Sequence, residues 1–175
     1  MNACTIRTLR PDDEHRLLQF ERDNRRWFEA HIDPRGDDFY TRDGVRAHIE
    51  QYLDGYARAT WHPCVIVDRF EAIVGRANLK EIDLAKGMAE IGYRVAQRTA
   101  GQGLATQAVR YLTTLARTEW RLNKLFAHVS TQNTASARVL EKCGFVRAAC
   151  LPNMALLHGV PAEGHLFSCQ LSECG

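Results

Sequence analysis

A chain of 175 residues, 45% hydrophobic and 25% charged, is long enough for one domain with a sizeable buried core and has the balance of an ordinary globular protein. A formal net charge of +2, with arginines scattered rather than run together, gives no ground for a nucleic-acid partner. No stretch is long and apolar enough to span a bilayer, and Met1 to Asp13 lacks the apolar core of a signal peptide. The expectation is therefore one domain over residues 1–175, with no membrane partner, in the cytoplasm. The cysteines Cys4, Cys64, Cys143, Cys150, Cys169 and Cys174 contain no C-x-x-C pair. The histidines, among them His62, His128, His158 and His165, form no H-x-x-x-H pattern. Reduced thiols and no bound metal are expected.

In chain order, Thr5 to Leu9 reads as a first strand. Pro11-Asp12-Asp13 turns into a helix with Leu17, Leu18 and Phe20 as core candidates. Residues Asn24 to Phe39, which include Pro34 and Gly36, read as irregular. Trp27, Phe28 and Tyr40 there either cover a pocket or pack on the core. Thr41 is a helix cap, followed at helical spacing by Val45, Ile49, Tyr52, Leu53 and Tyr56. Cys64 to Val67 and Ala72 to Leu79 are strands around a polar break at Asp68 to Glu71, and Met88 to Val95 is a third. Gly101 to Trp120 is the strongest helix, with Leu104, Ala108, Tyr111, Leu112 and Leu115 on one face. Leu125 to Ser130 is a strand and Asn133 to Lys142 a helix. Gly144-Phe145-Val146 begins a further strand and Leu166 to Leu171 is the last. Interleaved helices and strands predict an α/β or α+β layered fold.

The stretch from Ala89 to Thr106 is a strand, a loop with Gly101 and Gly103, then an amphipathic helix. A helix start leaves backbone N–H groups without partners and carries partial positive charge, and glycines let that backbone approach a phosphate closely. Together they suit a pyrophosphate. A dinucleotide fingerprint fits poorly, since its third glycine position holds Thr106, and no Gly-Lys-Ser/Thr follows to make a P-loop.

Arg98-Thr99-Ala100-Gly101-Gln102-Gly103 resembles the Q/R-x-x-G-x-G/A signature of the GNAT acetyltransferases, and Asn133 to Phe145 is similar to that family's N-x-x-S-x-x-x-x-x-x-x-G-F motif. The resemblance runs from about Thr5 to Leu171. Through Ile73-Val74-Gly75 and Ile91 to Val95, it points to the RimJ/RimL-type branch. It implies a mixed, mostly antiparallel, twisted sheet flanked by helices. The parallel strands Met88 to Val95 and Leu125 to Ser130 would splay apart where acetyl-CoA enters. It further implies that Arg98 to Thr106, including Leu104 and Ala105, bind the pyrophosphate, that Tyr93, Arg94 and Val95 run beside the pantetheine arm, and that Asn133 lies near it. Arg138 and Lys142 either reach the adenosine phosphates or face solvent, and Cys143 reads as a packed thiol.

Acetyl transfer needs a base for the amine and a donor for the departing thiolate. Glu90 is the base candidate, where several GNAT enzymes place a glutamate. Ser136 is the acid candidate, because the family's usual tyrosine position is Leu140 here. The RimL-type glutamate position is Ala155, and a later polar pattern is replaced by His158, Glu163 and Phe167, which leaves the acceptor open between a peptide N-terminus and a small-molecule amine. The acceptor is expected near Trp27 to Tyr40 and His158 to His165. Two readings stand: an N-acetyltransferase using acetyl-CoA without metal, as a monomer or homodimer, and a non-catalytic acyl-CoA-binding module on the same fold.

Overall fold

The computed structural model describes residues 4–30, 34–157 and 160–171, so His158, Gly159 and Cys174 lie outside the described residues. The strands are β1 (Thr5–Thr8), β2 (Trp61–Val67), β3 (Ile73–Asp83), β4 (Met88–Val95), β5 (Lys124–Ser130), β6 (Val146–Leu157) and β7 (Val160–Gln170). The helices are α1 (Glu14–Asp23), α2 (Arg25–Glu29), α3 (Arg42–Ala57), α4 (Leu104–Thr118) and α5 (Thr134–Lys142). Single 3-10 turns cover Pro11–Asp13, Asp37–Tyr40 and Gln97–Thr99. The strands form one sheet in the order β1-β2-β3-β4-β5-β7-β6, antiparallel at every pairing except β4 with β5. This is the mixed, mostly antiparallel sheet that the sequence implied.

Helices cover both faces. One face carries Cys64, Ile66, Leu79, Ile91, Leu125 and Phe167 against α4 and α5, with Leu112 and Leu140 fully buried. The other carries Val65, Val67 and Ile73 against Leu17, Phe20, Val45 and Ile49 of α1 and α3. A central strand with two covered faces must be apolar throughout, which is why Cys64 to Val67 reads as an unbroken run. Thr41 caps α3, its side chain accepting from the Gly44 N–H.

The segment expected to be irregular contains α2 and a 3-10 turn. Arg25 pairs with Glu29 at 2.8 Å along α2, and Phe28 is buried against Phe20 with ring centroids 5.4 Å apart. A tertiary contact, not local propensity, holds so short a helix. The predicted helix start at Gly101 is also corrected. Gly101 and Gly103 have φ of 75° and 83°, outside the helical region, and α4 begins at Leu104. The β2, β3, β6 and β7 ladders run further than their apolar runs, because backbone pairing carries polar residues such as Asn78 and Lys80 into the sheet.

Arg76 on β3 and Arg94 on β4 are directly opposed in the register. Like charges placed so repel unless a carboxylate sits between them. Glu21 of α1 does so: its Oε1 meets Arg76 Nη1 at 2.9 Å and Arg94 Nη2 at 2.5 Å, with Glu21 and Arg76 almost fully buried. His48 of α3 accepts from Arg76 Nη2 at 2.8 Å. Burial first, and then the charge of Arg76, push the His48 pKa down to about 2.

His62 is a second buried histidine. Its Nδ1 accepts from Trp120 Nε1 at 2.8 Å, so the ring is neutral with its proton on Nε2, which donates to Thr8 Oγ1 at 3.0 Å. Burial pushes its pKa down to about 4. The unfolded chain binds protons near the ordinary value of about 6.5, so between there and about 4 it takes up a proton that the folded chain refuses. Stability is therefore expected to fall as pH drops through that window, by at most about 1.4 kcal/mol per unit for this group. Urea midpoints measured between pH 7 and 5 check this, and His62→Gln should reduce the slope to the part that His48 contributes.

Candidate functional site

Strands β4 and β5 pair only through Met88 with Lys124, Ala89 with Leu125 and Glu90 with Phe126. Beyond Glu90, β4 stays with β3 as far as Val95, while β5 stays with β7 as far as Ser130. The two strands diverge and leave a notch, with Ile91 to Val95 on one side and Ala127 to Ser130 on the other. The Ala96 N–H bonds the Val74 carbonyl at 2.8 Å, so the even-numbered residues of β4 turn their backbone towards β3. By strand alternation, the N–H and C=O groups of Tyr93 and Val95 face the notch. The Val95 carbonyl there accepts from Trp27 Nε1 at 3.2 Å.

The start of α4 closes one end. The loop before it is tightened by Thr99 N–H to Ala96 O at 3.0 Å, Ala100 N–H to Gln97 O at 3.1 Å and Gln102 N–H to Thr99 O at 3.4 Å. No side chain caps α4, and among the described residues the N–H groups of Gly101, Gly103, Leu104, Ala105 and Thr106 meet no acceptor. A Cβ at either glycine would meet nothing within 4 Å, so this run of N–H groups lies open. Leu104 is buried and anchors it. Arg98 is exposed, 3.7 Å from Asp68, and its carbonyl accepts from Gln102 Nε2 at 3.0 Å. The arrangement can hold an anion by backbone alone.

Glu90 sits at the apex of the notch and is 6% exposed. Its Oε1 meets Lys80 Nζ at 2.8 Å and His128 Nδ1 at 3.1 Å. Lys80 is its register partner on β3, and His128 lies two residues beyond Phe126, on the same face of the sheet. The His128 side chain is 37% exposed, so the buried carboxylate reaches open space through that ring. Ser136 and Tyr93 lie on the other face. The Tyr93 hydroxyl is 2.9 Å from Ser136 Oγ and 3.2 Å from the Ser136 carbonyl. Burial pushes the Tyr93 pKa up to about 12, so the phenol keeps its proton. Asn133 caps α5, its Oδ1 accepting from the Ser136 N–H at 3.1 Å.

Glu90, Tyr93 and Val95 thus line the notch, Ser136 meets the Tyr93 hydroxyl, Asn133 caps the helix that carries Ser136, and Gly101 to Thr106 follow β4 at one end, with the Arg98 side chain turned to Asp68. The Arg94 side chain does not line the notch: it is bound to Glu21 beneath α1. Arg138 and Lys142 are exposed on α5. Cys143 packs against the core, where burial raises its thiol pKa. Sequence reasoning missed Lys80, His128 and the Tyr93 hydroxyl. Strand alternation pairs His128 with Phe126, but only the register brings Lys80 and His128 to Glu90.

The description "Acetyltransferase (GNAT) domain" matches residues 4–146. The chain is 31% identical over 157 residues to "Probable N-acetyltransferase YjcK" of Bacillus subtilis, covering 89% of this chain and 87% of that protein. The ribosomal-protein-S5-alanine acetyltransferase of Vibrio fischeri superposes with a TM-score of 0.93 at 19% identity, over 99% of this chain and 96% of that one. The spermidine N-acetyltransferase of Vibrio cholerae, in complex with CoA and spermine, superposes with a TM-score of 0.81 at 20% identity, over 96% and 95%. At these identities the two structures speak for the fold. With the matched domain covering most of its length, the chain belongs to the GNAT family of acetyltransferases.

Proposed function

We propose that the protein moves the acetyl group of acetyl-CoA directly to a primary amine while both are bound. The observation that carries this reading is the notch with Glu90 at its apex and open N–H groups at its rim. The N–H groups from Gly101 to Thr106 hold the pyrophosphate, and the notch-facing groups of Tyr93 and Val95 bond the pantetheine arm. The amine approaches on the face of Glu90 and His128. With the His128 Nδ1–H donating to Glu90, the Nε2 atom accepts the amine proton, and the carboxylate stabilises the imidazolium that forms. The amine nitrogen attacks the thioester carbon, the tetrahedral intermediate collapses, and the C–S bond breaks. The departing thiolate is protonated from the Ser136–Tyr93 hydroxyl pair on the opposite face.

Replacing Ser136 with Ala, or Tyr93 with Phe, is expected to lower kcat by about a hundredfold if that residue gives the proton. Acetyl-CoA affinity should change little, and steady-state kinetics beside calorimetric binding separate the two. A fully active Ser136→Ala enzyme with a weak Tyr93→Phe enzyme would move the donor to Tyr93. The reading as a whole is tested by following CoA release from acetyl-CoA across a panel of amines: peptides with free N-termini, amino acids and polyamines. The names of the structural neighbours, a ribosomal-protein-S5-alanine acetyltransferase and a spermidine N-acetyltransferase, set the range of the panel. Tight acetyl-CoA binding with no turnover on any amine would favour the acyl-CoA-binding module.

A further inference from the structure

A cavity of about 440 Å³ lies between α3 and the sheet on the Glu90 face, lined by Arg35, Phe39, His48, Tyr52, Arg58 and Trp61 among others. Two buried donors on its wall, Arg35 Nη1 and Trp61 Nε1, have no hydrogen-bond partner among the described residues. Buried donors left unpaired are costly and rare. Both are donors with no acceptor character, so the partner they lack is an acceptor. The surrounding charge agrees. The guanidiniums of Arg35, Arg76 and Arg94 all act on His48, while the Glu21 carboxylate is shared by Arg76 and Arg94 through one oxygen. The Arg35 guanidinium stacks on the Phe39 ring at 4.2 Å, which fixes its plane. Arg58 on the rim is already paired with Asp54. His48 stays neutral and adds no competing charge.

The cavity shares a face with the notch apex. Trp61, Lys80 and Glu90 occupy one register row across β2, β3 and β4, so their side chains project from the same side. Two strand spacings separate Trp61 from Glu90 and a third reaches β5, which carries His128, a span on the order of 10–15 Å. We infer that this cavity is the acceptor's second subsite and takes a carboxylate held on the order of 10–15 Å from the reacting amine. The inference rests on the acetyl-transfer reading and names the substrate class for it. The spacing excludes the α-carboxylate of a free amino acid, which lies next to its amine. An extended peptide advances about 3.3 Å per residue, so an aspartate or glutamate side chain at the third or fourth position reaches the span. A polycation is disfavoured, since its second amine would meet Arg35.

The test compares acetylation of three short peptides that differ only at positions three and four, with acidic, neutral or basic side chains, and adds free glutamate and spermidine. The acidic peptide is expected to have a kcat/KM about tenfold or more above the neutral one, with the basic peptide and spermidine below both. In Trp61→Phe, which removes the donor and keeps a ring, and in Arg35→Ala, the acidic-to-neutral ratio should fall towards one through KM. A preference for the basic peptide or spermidine, or a ratio unchanged in both variants, would overturn the inference. Preference for free glutamate over the acidic peptide would also overturn it, by removing the span. Calorimetric binding of the N-acetylated acidic peptide, the expected product, needs no turnover. Binding that Arg35→Ala weakens would uphold the carboxylate subsite even if no amine were acetylated, in which case only the transfer reading fails. Equal binding of acidic and neutral products would sink the subsite.

Discussion

Glu90→Gln is expected to lower kcat by about a hundredfold or more while leaving acetyl-CoA affinity within about twofold. Glutamine keeps the size of the side chain and an oxygen for Lys80 Nζ, which now lies 2.8 Å from Glu90 Oε1. It removes the negative charge that His128 meets at 3.1 Å. An imidazole that takes the amine's proton then has no anion to stabilise it. The acetyl-CoA contacts assigned to Gly101 to Thr106 are far along the chain and do not depend on that charge. His128→Ala should cost a similar factor, and the double variant should be little worse than either single one, because the pair acts as a unit. Additive losses in the double variant would separate the two roles. A full-rate Glu90→Gln enzyme with reduced thermal stability would make the carboxylate a partner for Lys80 alone.

The largest expected effect on stability comes from Glu21→Gln. Glu21 and Arg76 are almost fully buried, and Glu21 Oε1 takes both Arg76 and Arg94. Breaking a buried pair from one side leaves an uncompensated charge, typically at about 3–5 kcal/mol. Here two guanidiniums would face each other across paired strands with nothing between them. Native domains have about 5–15 kcal/mol in total, so the variant is expected to be partly unfolded at 37 °C. Urea unfolding with circular dichroism reads the loss directly. Replacing Glu21 by Leu together with Arg76 and Arg94 by Met should recover most of it, since no charge is then stranded. A loss below about 1 kcal/mol in Glu21→Gln would mean that water reaches the cluster.

Much of the fold was legible because its signals are local. The burial of Leu112 and Leu115 follows from the 3.6-residue period of α4, and β2 follows from an unbroken apolar run. The turn from Arg98 to Gly103 into α4 was legible because glycine spacing reports backbone directly. The α2 helix was not legible, since its reason to exist is the contact of Phe28 with Phe20. Lys80 and His128 were not legible either. They reach Glu90 from two other strands, and a sequence does not state which residue of one strand faces which of another until the ladder is closed. The same holds for the side chain of Arg94, a residue that the resemblance set beside the pantetheine arm through its backbone. Its side chain points to the opposite task, because alternation along β4 gives Tyr93 to one face and Arg94 to the other.

The three-pair seam between β4 and β5 has a mechanical consequence. The sheet has two extensively paired halves, β1–β4 and β5–β7, meeting at that short seam, with α4 packed on β3 and β4. Neighbouring amides at the end of β4 and just after it should therefore exchange with solvent deuterium at very different speeds, Tyr93 and Val95 fast, Arg94 and Ala96 slow. An occupant that bonds to the fast pair would act as a missing eighth strand. It would slow their exchange and stiffen the seam, so protection should rise in both halves at once and the midpoint of thermal unfolding should climb with its concentration.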